Sequence, residues 1–388
     1  MFDRENRISL SSRIRQARFL LGYILFCPFW TLLWYIDEIL FPDYRQIKHR
    51  SLFIIGQPRS GTTFLHRTLA TDENTFVAIR HYEWRYPFIT LQILFGGTRV
   101  NEIFKARNYW PNTERGRMAA KMHSNTLYDW EEDGIFFEEC FLHHFFIWLR
   151  FPYPNLLAYL DDFVLLPDDA QKHMIKTYQK AVQKVMYLRG EDKIYLSKEV
   201  TGQQRLMSLV ECFPDAEFLV VARHSNAYMN SLLELVKTST AVKTGIDPNT
   251  IPEWRATFIA RMCNDCVELL NFLSQFTSEK QVHLSFDLLT QHIVASIQII
   301  YDQFELSLSD NYKHYLEMLQ QHQENRCRGY DYSFSAIQNL AMQGFVNYDI
   351  FVDSVAETHQ KHLRFQKAVT VSDVQYFVGN YADTVRSQ

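Results

Sequence analysis

Polar and apolar positions alternate in blocks along the chain, and the blocks differ in period. Residues 19–36 (FLLGYILFCPFWTLLWYI) carry no charge, follow a polar stretch with Arg4, Arg7, Arg13, Arg15 and Arg18, and are interrupted in the middle by Pro28. Residues 52–55 (LFII) form a short apolar run of the kind that makes a strand buried on both faces. Further runs of this kind lie at 194–197 and 218–222. Between them the spacing switches to the helical period. Residues 63–69 place Phe64, Leu65 and Leu69 on one face, and 168–187, 203–213, 253–275 and 293–304 read as amphipathic helices. Residues 88–190 read as mostly helical. Short buried strands separated by helices predict an α/β domain with a central parallel sheet and largely helical insertions, preceded by an apolar N-terminal helix. We place a basic and apolar arm at 1–45 and a single α/β domain at 46–388.

The turn after the first strand changes the picture from fold to chemistry. In GQPRSGTT the order strand, Gly-containing turn, helix start aims backbone N–H groups and the positive end of a helix dipole at one place, an anion site. Gly56 and Gly61 have Walker A spacing, but Thr62 stands where that motif needs Lys. Pro58, Arg59, Ser60, Gly61, Thr62 and Thr63 can cradle a phosphate through amides and hydroxyls, with Arg59 as a fixed cation. The expected ligand is a nucleotide carrying less charge than a triphosphate.

This loop resembles that of the sulfotransferases using 3′-phosphoadenosine 5′-phosphosulfate, whose loop often reads G-x-P-R-S-G-T-T; the bacterial-type branch is the nearest in kind. The resemblance implies a P-loop-like three-layer fold, transfer of a sulfuryl group to a hydroxyl or amine, and no metal. It extends to KIYLSKEV and to FPDAEFLVVARHSNAYMNS: Lys198 matches the family Lys, Phe213–Ala216 match fully, and Arg223 and Ser231 keep the family spacing of eight. It implies that Arg223 and Ser231 hold the 3′-phosphate and that Lys198 neutralises charge on the bridging oxygen. Val200 stands where the cytosolic branch has a catalytic His, which shifts the proton-acceptor role to Glu83, at the end of the second strand, with His81 as rival. Asp287 and Phe286 replace the family Glu and Tyr on the late strand. Arg326, Arg328 and Gly329 resemble the basic loop that closes over the 3′-phosphate, so Arg328 joins the expected cofactor-binding set.

Composition bounds the partners. With 388 residues and 47% hydrophobic content the chain can bury a large core. A net charge of −4 disfavours nucleic acid. Cys263 and Cys266 lie on a helical pattern with no second pair, and read as buried helix cysteines. The acidic segment Asp129, Glu131, Glu132, Asp133, Glu138 and Glu139 reads as a solvated face or a helix end near the acceptor cleft. No N-x-Ser/Thr sequon occurs, which argues against secretory maturation. The apolar run ends about fifteen residues before the nucleotide strand, so there is no stem, and an anchor lying on the membrane fits better than a span. We therefore expect membrane association with the catalytic domain on the cytoplasmic side. The expected acceptor is a hydroxylated lipid, sterol or glycolipid, and homo-oligomerisation is left open. The rival readings are a P-loop small-molecule kinase, against which the missing Lys argues, and a non-catalytic nucleotide-binding membrane adaptor.

Overall fold

The computed structural model describes residues 9–368 apart from 97, 124, 140–149, 154–162, 164–165, 191, 201–202 and 326–341. Arg328, Gly329, His143 and His144 fall outside the described residues. Five strands, β1 (Ser51–Gly56), β2 (Phe76–Ala78), β3 (Ile194–Glu199), β4 (Glu217–Ala222) and β5 (Gln281–Ser285), form one sheet of order β2-β3-β1-β4-β5. All four pairings are parallel. Parallel neighbours need crossovers, and helices supply them. In chain order these are α1 (Leu10–Leu40), α2 (Thr62–Ala70), α3 (His81–Arg85), α4 (Ile89–Phe95), α5 (Thr98–Ala106), α6 (Glu114–Met122), α7 (Gly134–Glu139), α8 (Asp168–Arg189), α9 (Leu206–Cys212), α10 (Ser225–Lys243), α11 (Pro252–Leu273), α12 (Phe286–Gln291), α13 (Ile293–Gln303), α14 (Asp310–Glu324) and α15 (Gln343–Ala368).

Alternation along β1 divides the core. Phe53 and Ile55 face a layer with Tyr178, Val182, Leu209, Leu232, Trp254 and Phe258, from α8–α11. Leu52 and Ile54 face Leu65 and Leu69 of α2, Ile297 of α13 and Leu316 of α14. The result is three layers with every β1 residue buried, as the continuous apolar run requires. Cys263 and Cys266 are both buried in α11.

Two element boundaries differ from those expected. The late strand stops at Ser285, and Phe286 opens α12. α1 runs through Pro28 as one helix, although the proline removes a backbone hydrogen bond there. By length and composition α1 could cross a membrane. Leu21, Ile24, Leu25, Phe29, Leu32 and Tyr35 are exposed on it, whereas Leu33 and Trp34 join the core. Its C-terminal part is built into the domain. Asp37 is fully buried and accepts from Ile89 N (2.7 Å), Thr90 N (2.9 Å) and Thr90 Oγ1 (2.7 Å) at the start of α4, and from Lys184 Nζ of α8 (3.1 Å).

Candidate active site

Three strand ends meet at one edge of the sheet. β1 ends in Gly56, β4 leads directly into Arg223, and Lys198 lies in β3 opposite Ile54 of β1. In an open parallel sheet this carboxyl edge, where chain order changes direction, is where ligands bind.

The loop between β1 and α2 has a forced shape. Gly56 has φ +150°, and a Cβ there would meet Val221 O at 2.8 Å. Gly61 has φ +104°, and a Cβ would run into the Phe286 ring at 2.3 Å, so Phe286 packs directly on the loop. Arg59 takes φ 69°, a left-handed conformation that costs a non-glycine residue about 1–2 kcal/mol. Its surroundings hold it there. Arg223 Nη1 donates to Arg59 O (2.9 Å), Arg59 Nε donates to Ser231 Oγ (3.1 Å), and Arg59 Nη2 donates to Met122 O (3.2 Å). The loop arginine, the cation after β4 and the serine of α10 are therefore one connected group. Arg223 also lies over the Phe286 ring at 4.5 Å. Pro58, Ser60 and Thr62 are buried, and Ser60 Oγ makes no hydrogen bond. A buried unpaired hydroxyl beside a helix N-terminus and two guanidinium groups is the donor set an anion needs.

Lys198 stands beside this loop. Its ammonium is buried and donates to Thr63 Oγ1 (3.1 Å) and Glu131 Oε1 (3.1 Å), with Glu132 Oε2 at 3.6 Å. The acidic segment is thus not a solvated face. Residues 129–133 run across the ends of β2 and β3: His81 N donates to Asp129 O (2.9 Å), Glu131 N to Ile79 O (3.1 Å) and Asp133 N to Lys198 O (3.0 Å). Glu131 and Asp133 are buried to 2% and 1%. His123 Nε2 and Arg67 Nη2 approach Glu131 Oε2 at 3.4 and 3.6 Å. Asp133 accepts from Tyr178, Tyr195 and Ser197 hydroxyls. Burial, then Glu199, pushes its carboxyl up to about 7 against those hydrogen bonds. His66, fully buried and without hydrogen bonds on either ring nitrogen, is driven down to about 3 by burial and then by Lys198, so it stays neutral.

Glu83 and His81 both lie in α3, beyond the end of β2. Glu83 Oε2 accepts from Arg80 N (2.7 Å), closing the first turn of α3, and from Arg189 Nη1 (3.1 Å). His81 is buried, bonds Asn125 through Nδ1 (3.1 Å), and is pushed down to about 4 by burial and then by Arg85. Sequence reasoning missed the pairing of Glu131 and Glu132 with Lys198 and the approach of His123. The available signal was that the acidic triplet lies between Trp130 and the apolar run Ile135–Phe137.

Comparison with known proteins agrees with this geometry. Two solved structures share the fold: sulfotransferase STF1 from Mycobacterium tuberculosis (TM-score 0.57, 15% identity, 84% of this chain and 81% of that one) and sulfotransferase STF9 from Mycobacterium avium (TM-score 0.62, 14% identity, 82% and 80%). A search of curated proteins finds no match. The family profile described as "Sulfotransferase family" matches residues 51–310, well over half of the 388 residues, and includes β1–β5 with both arginines and Lys198. With the loop, the parallel sheet and the profile in agreement, this chain belongs to the sulfotransferase family, whose chemistry is transfer of a sulfuryl group.

Proposed function

We propose that the protein transfers the sulfuryl group of 3′-phosphoadenosine 5′-phosphosulfate to the hydroxyl of a membrane-resident alcohol such as a hydroxylated lipid, sterol or glycolipid. The donor part of this reading rests on one observation, the joining of Arg59, Arg223 and Ser231 at the mouth of the loop. Two arginines and a serine joined at one loop can serve the two anionic ends of a doubly phosphorylated nucleotide. In this reading the amides of residues 58–63 and Arg59 take the 5′-phosphosulfate, Arg223 and Ser231 take the 3′-phosphate, and Lys198 neutralises the charge that grows on the bridging oxygen as the S–O bond breaks. The proton leaving the acceptor goes to a carboxylate, for which Glu83 and the Glu131–Glu132 pair compete.

The acceptor part rests on α1. Its apolar outer face and the basic residues Arg13, Arg15 and Arg18 at its start suit a helix lying at a lipid surface, with the catalytic domain on the cytoplasmic side. Calorimetric titration with 3′-phosphoadenosine 5′-phosphate tests the donor site: Arg223→Ala should weaken binding by on the order of 10²-fold, since each charge-assisted contact to a phosphate is strong. Transfer of radiolabelled sulfate into whole-cell lipid and glycan extracts, with mass identification of the product, tests the acceptor. Equal turnover of soluble sugars and lipid alcohols would defeat the lipid assignment while leaving the donor assignment in place.

A further inference from the structure

Lys198 is flanked by two consecutive carboxylates in unlike settings. Glu131 is almost wholly buried, gives Oε1 to the ammonium at 3.1 Å, and has His123 and Arg67 near its other oxygen. Glu132 brings Oε2 to 3.6 Å of the same ammonium, yet a quarter of its side chain is exposed. Its backbone N–H donates to Glu131 Oε1 (3.2 Å), which helps hold the Glu131 carboxylate in place. Burial would raise Glu131, but Lys198, His123 and Arg67 outweigh it and hold the group well below the usual carboxylate range. Glu132 moves the other way. Burial raises it, Glu131 and Glu199 add to the rise, and Lys198 and His123 oppose it. Neighbouring carboxyl groups pushed apart in this way divide into a fixed counter-ion and a proton acceptor.

We propose that Glu132 takes the proton from the acceptor hydroxyl, and that Glu131 is a positioning residue that holds the Lys198 ammonium at the sulfuryl site. The proposal rests on the sulfuryl-transfer reading and deepens it. The acceptor oxygen forms the new S–O bond. The bond from sulfur to the bridging oxygen breaks, and its electron pair stays on the 5′-phosphate beside Lys198. The hydroxyl proton passes to the Glu132 carboxylate and from there to water. When the phosphosulfate engages Lys198, Glu132 loses its nearest cation and becomes the stronger base. Glu83 lacks this arrangement, because its Oε2 is committed to Arg80 N and Arg189. Besides its neighbour Glu131, the charged and titratable groups facing Glu132 are Lys198 and Glu199 from β3 and His123 from the turn after α6.

The test compares Glu132→Gln, Glu132→Asp, His123→Asn and Glu83→Gln in the full chain. Readouts are sulfate transfer from the radiolabelled donor and calorimetric binding of 3′-phosphoadenosine 5′-phosphate. Glu132→Gln should cut kcat on the order of 10²–10³-fold, the size of a lost general base, and remove the acid limb of the kcat/KM profile. Nucleotide binding should hold within about twofold, and Glu132→Asp should recover about tenfold of the lost turnover. Retention of the acid limb and of most turnover in Glu132→Gln would overturn the proposal. So would transfer of the loss and of the missing limb to Glu83→Gln or to His123→Asn. Failure of the wild-type protein to bind the nucleotide at all would bring down the donor assignment itself, a result separate from these.

Discussion

Lys184 and Lys198 are both buried to 1% and both stand 3.1 Å from a carboxylate oxygen, but the carboxylates differ in what else they hold. Asp37, opposite Lys184, is saturated: two backbone N–H groups and a threonine hydroxyl share it with the ammonium. Trp34 covers that ammonium at 3.7 Å. Glu131, opposite Lys198, has its other oxygen 3.4 Å from His123 and 3.6 Å from Arg67, and a second carboxylate crowds the same ammonium. In the first cluster the Asp37 carboxylate is fully occupied. The second sets Glu131 and Glu132 against one ammonium, with Arg67 and His123 behind Glu131. An ion pair that only ties elements together can be closed off completely. A cation that must exchange one partner for a ligand has to be left with loosely held alternatives.

The largest expected effect falls on the saturated pair. Lys184→Met leaves Asp37 as a buried carboxylate without its cation and should cost about 3–5 kcal/mol of stability, read from denaturant midpoints, with kcat per folded molecule unchanged. If kcat falls with stability, the division between the two clusters fails. Lys198→Met should do the reverse. Arg67 still faces Glu131 at 3.6 Å, so stability should change by no more than about 1–2 kcal/mol. Meanwhile kcat should drop by roughly 10²–10³-fold through loss of charge stabilisation in the transition state. The smallest effect is in pH dependence. Asp133 keeps its proton in the folded state up to about 7, whereas in the unfolded chain it loses it near the ordinary carboxyl value. The folded state therefore binds more protons in that window. This contribution is full below the ordinary value and is lost as pH rises through about 7. Asp133→Asn should flatten that part of the stability–pH curve, and an unchanged slope would show that burial does not govern this group.

What could be read from the sequence was local or periodic. The loop was legible because Gly56, Arg59 and Gly61 follow a strand directly, and chain geometry alone puts them at a helix start. Arg223 and Ser231 were legible because the strand ends at the arginine and two turns of α10 bring the serine back to it. The surroundings of Lys198 were not. Three acids in a row ordinarily signal a wet surface, and here they are drawn under cover by backbone hydrogen bonds to Ile79 and Lys198, some fifty to seventy residues away in the chain. Asp37 was hidden for the same reason. As the first charge after an apolar run it reads as the polar end of a helix, and only the arrival of α4 and α8 makes it interior.

Asp37 is also one of several points at which α1 is built into the catalytic body. Trp30 donates its indole N–H to Arg85 O (3.3 Å), Leu33 and Trp34 fill the core, and α4 starts on the Asp37 carboxylate. The start of the helix is held as well: Ser12 donates to Thr244 O, Gln16 Nε2 donates to Arg150 O (3.0 Å) and Tyr153 donates to Gln16 Oε1 (2.8 Å), so α1 is tied to the catalytic body near both ends. Trimming at residue 45 would therefore remove a keystone of the body together with the exposed apolar face of the helix.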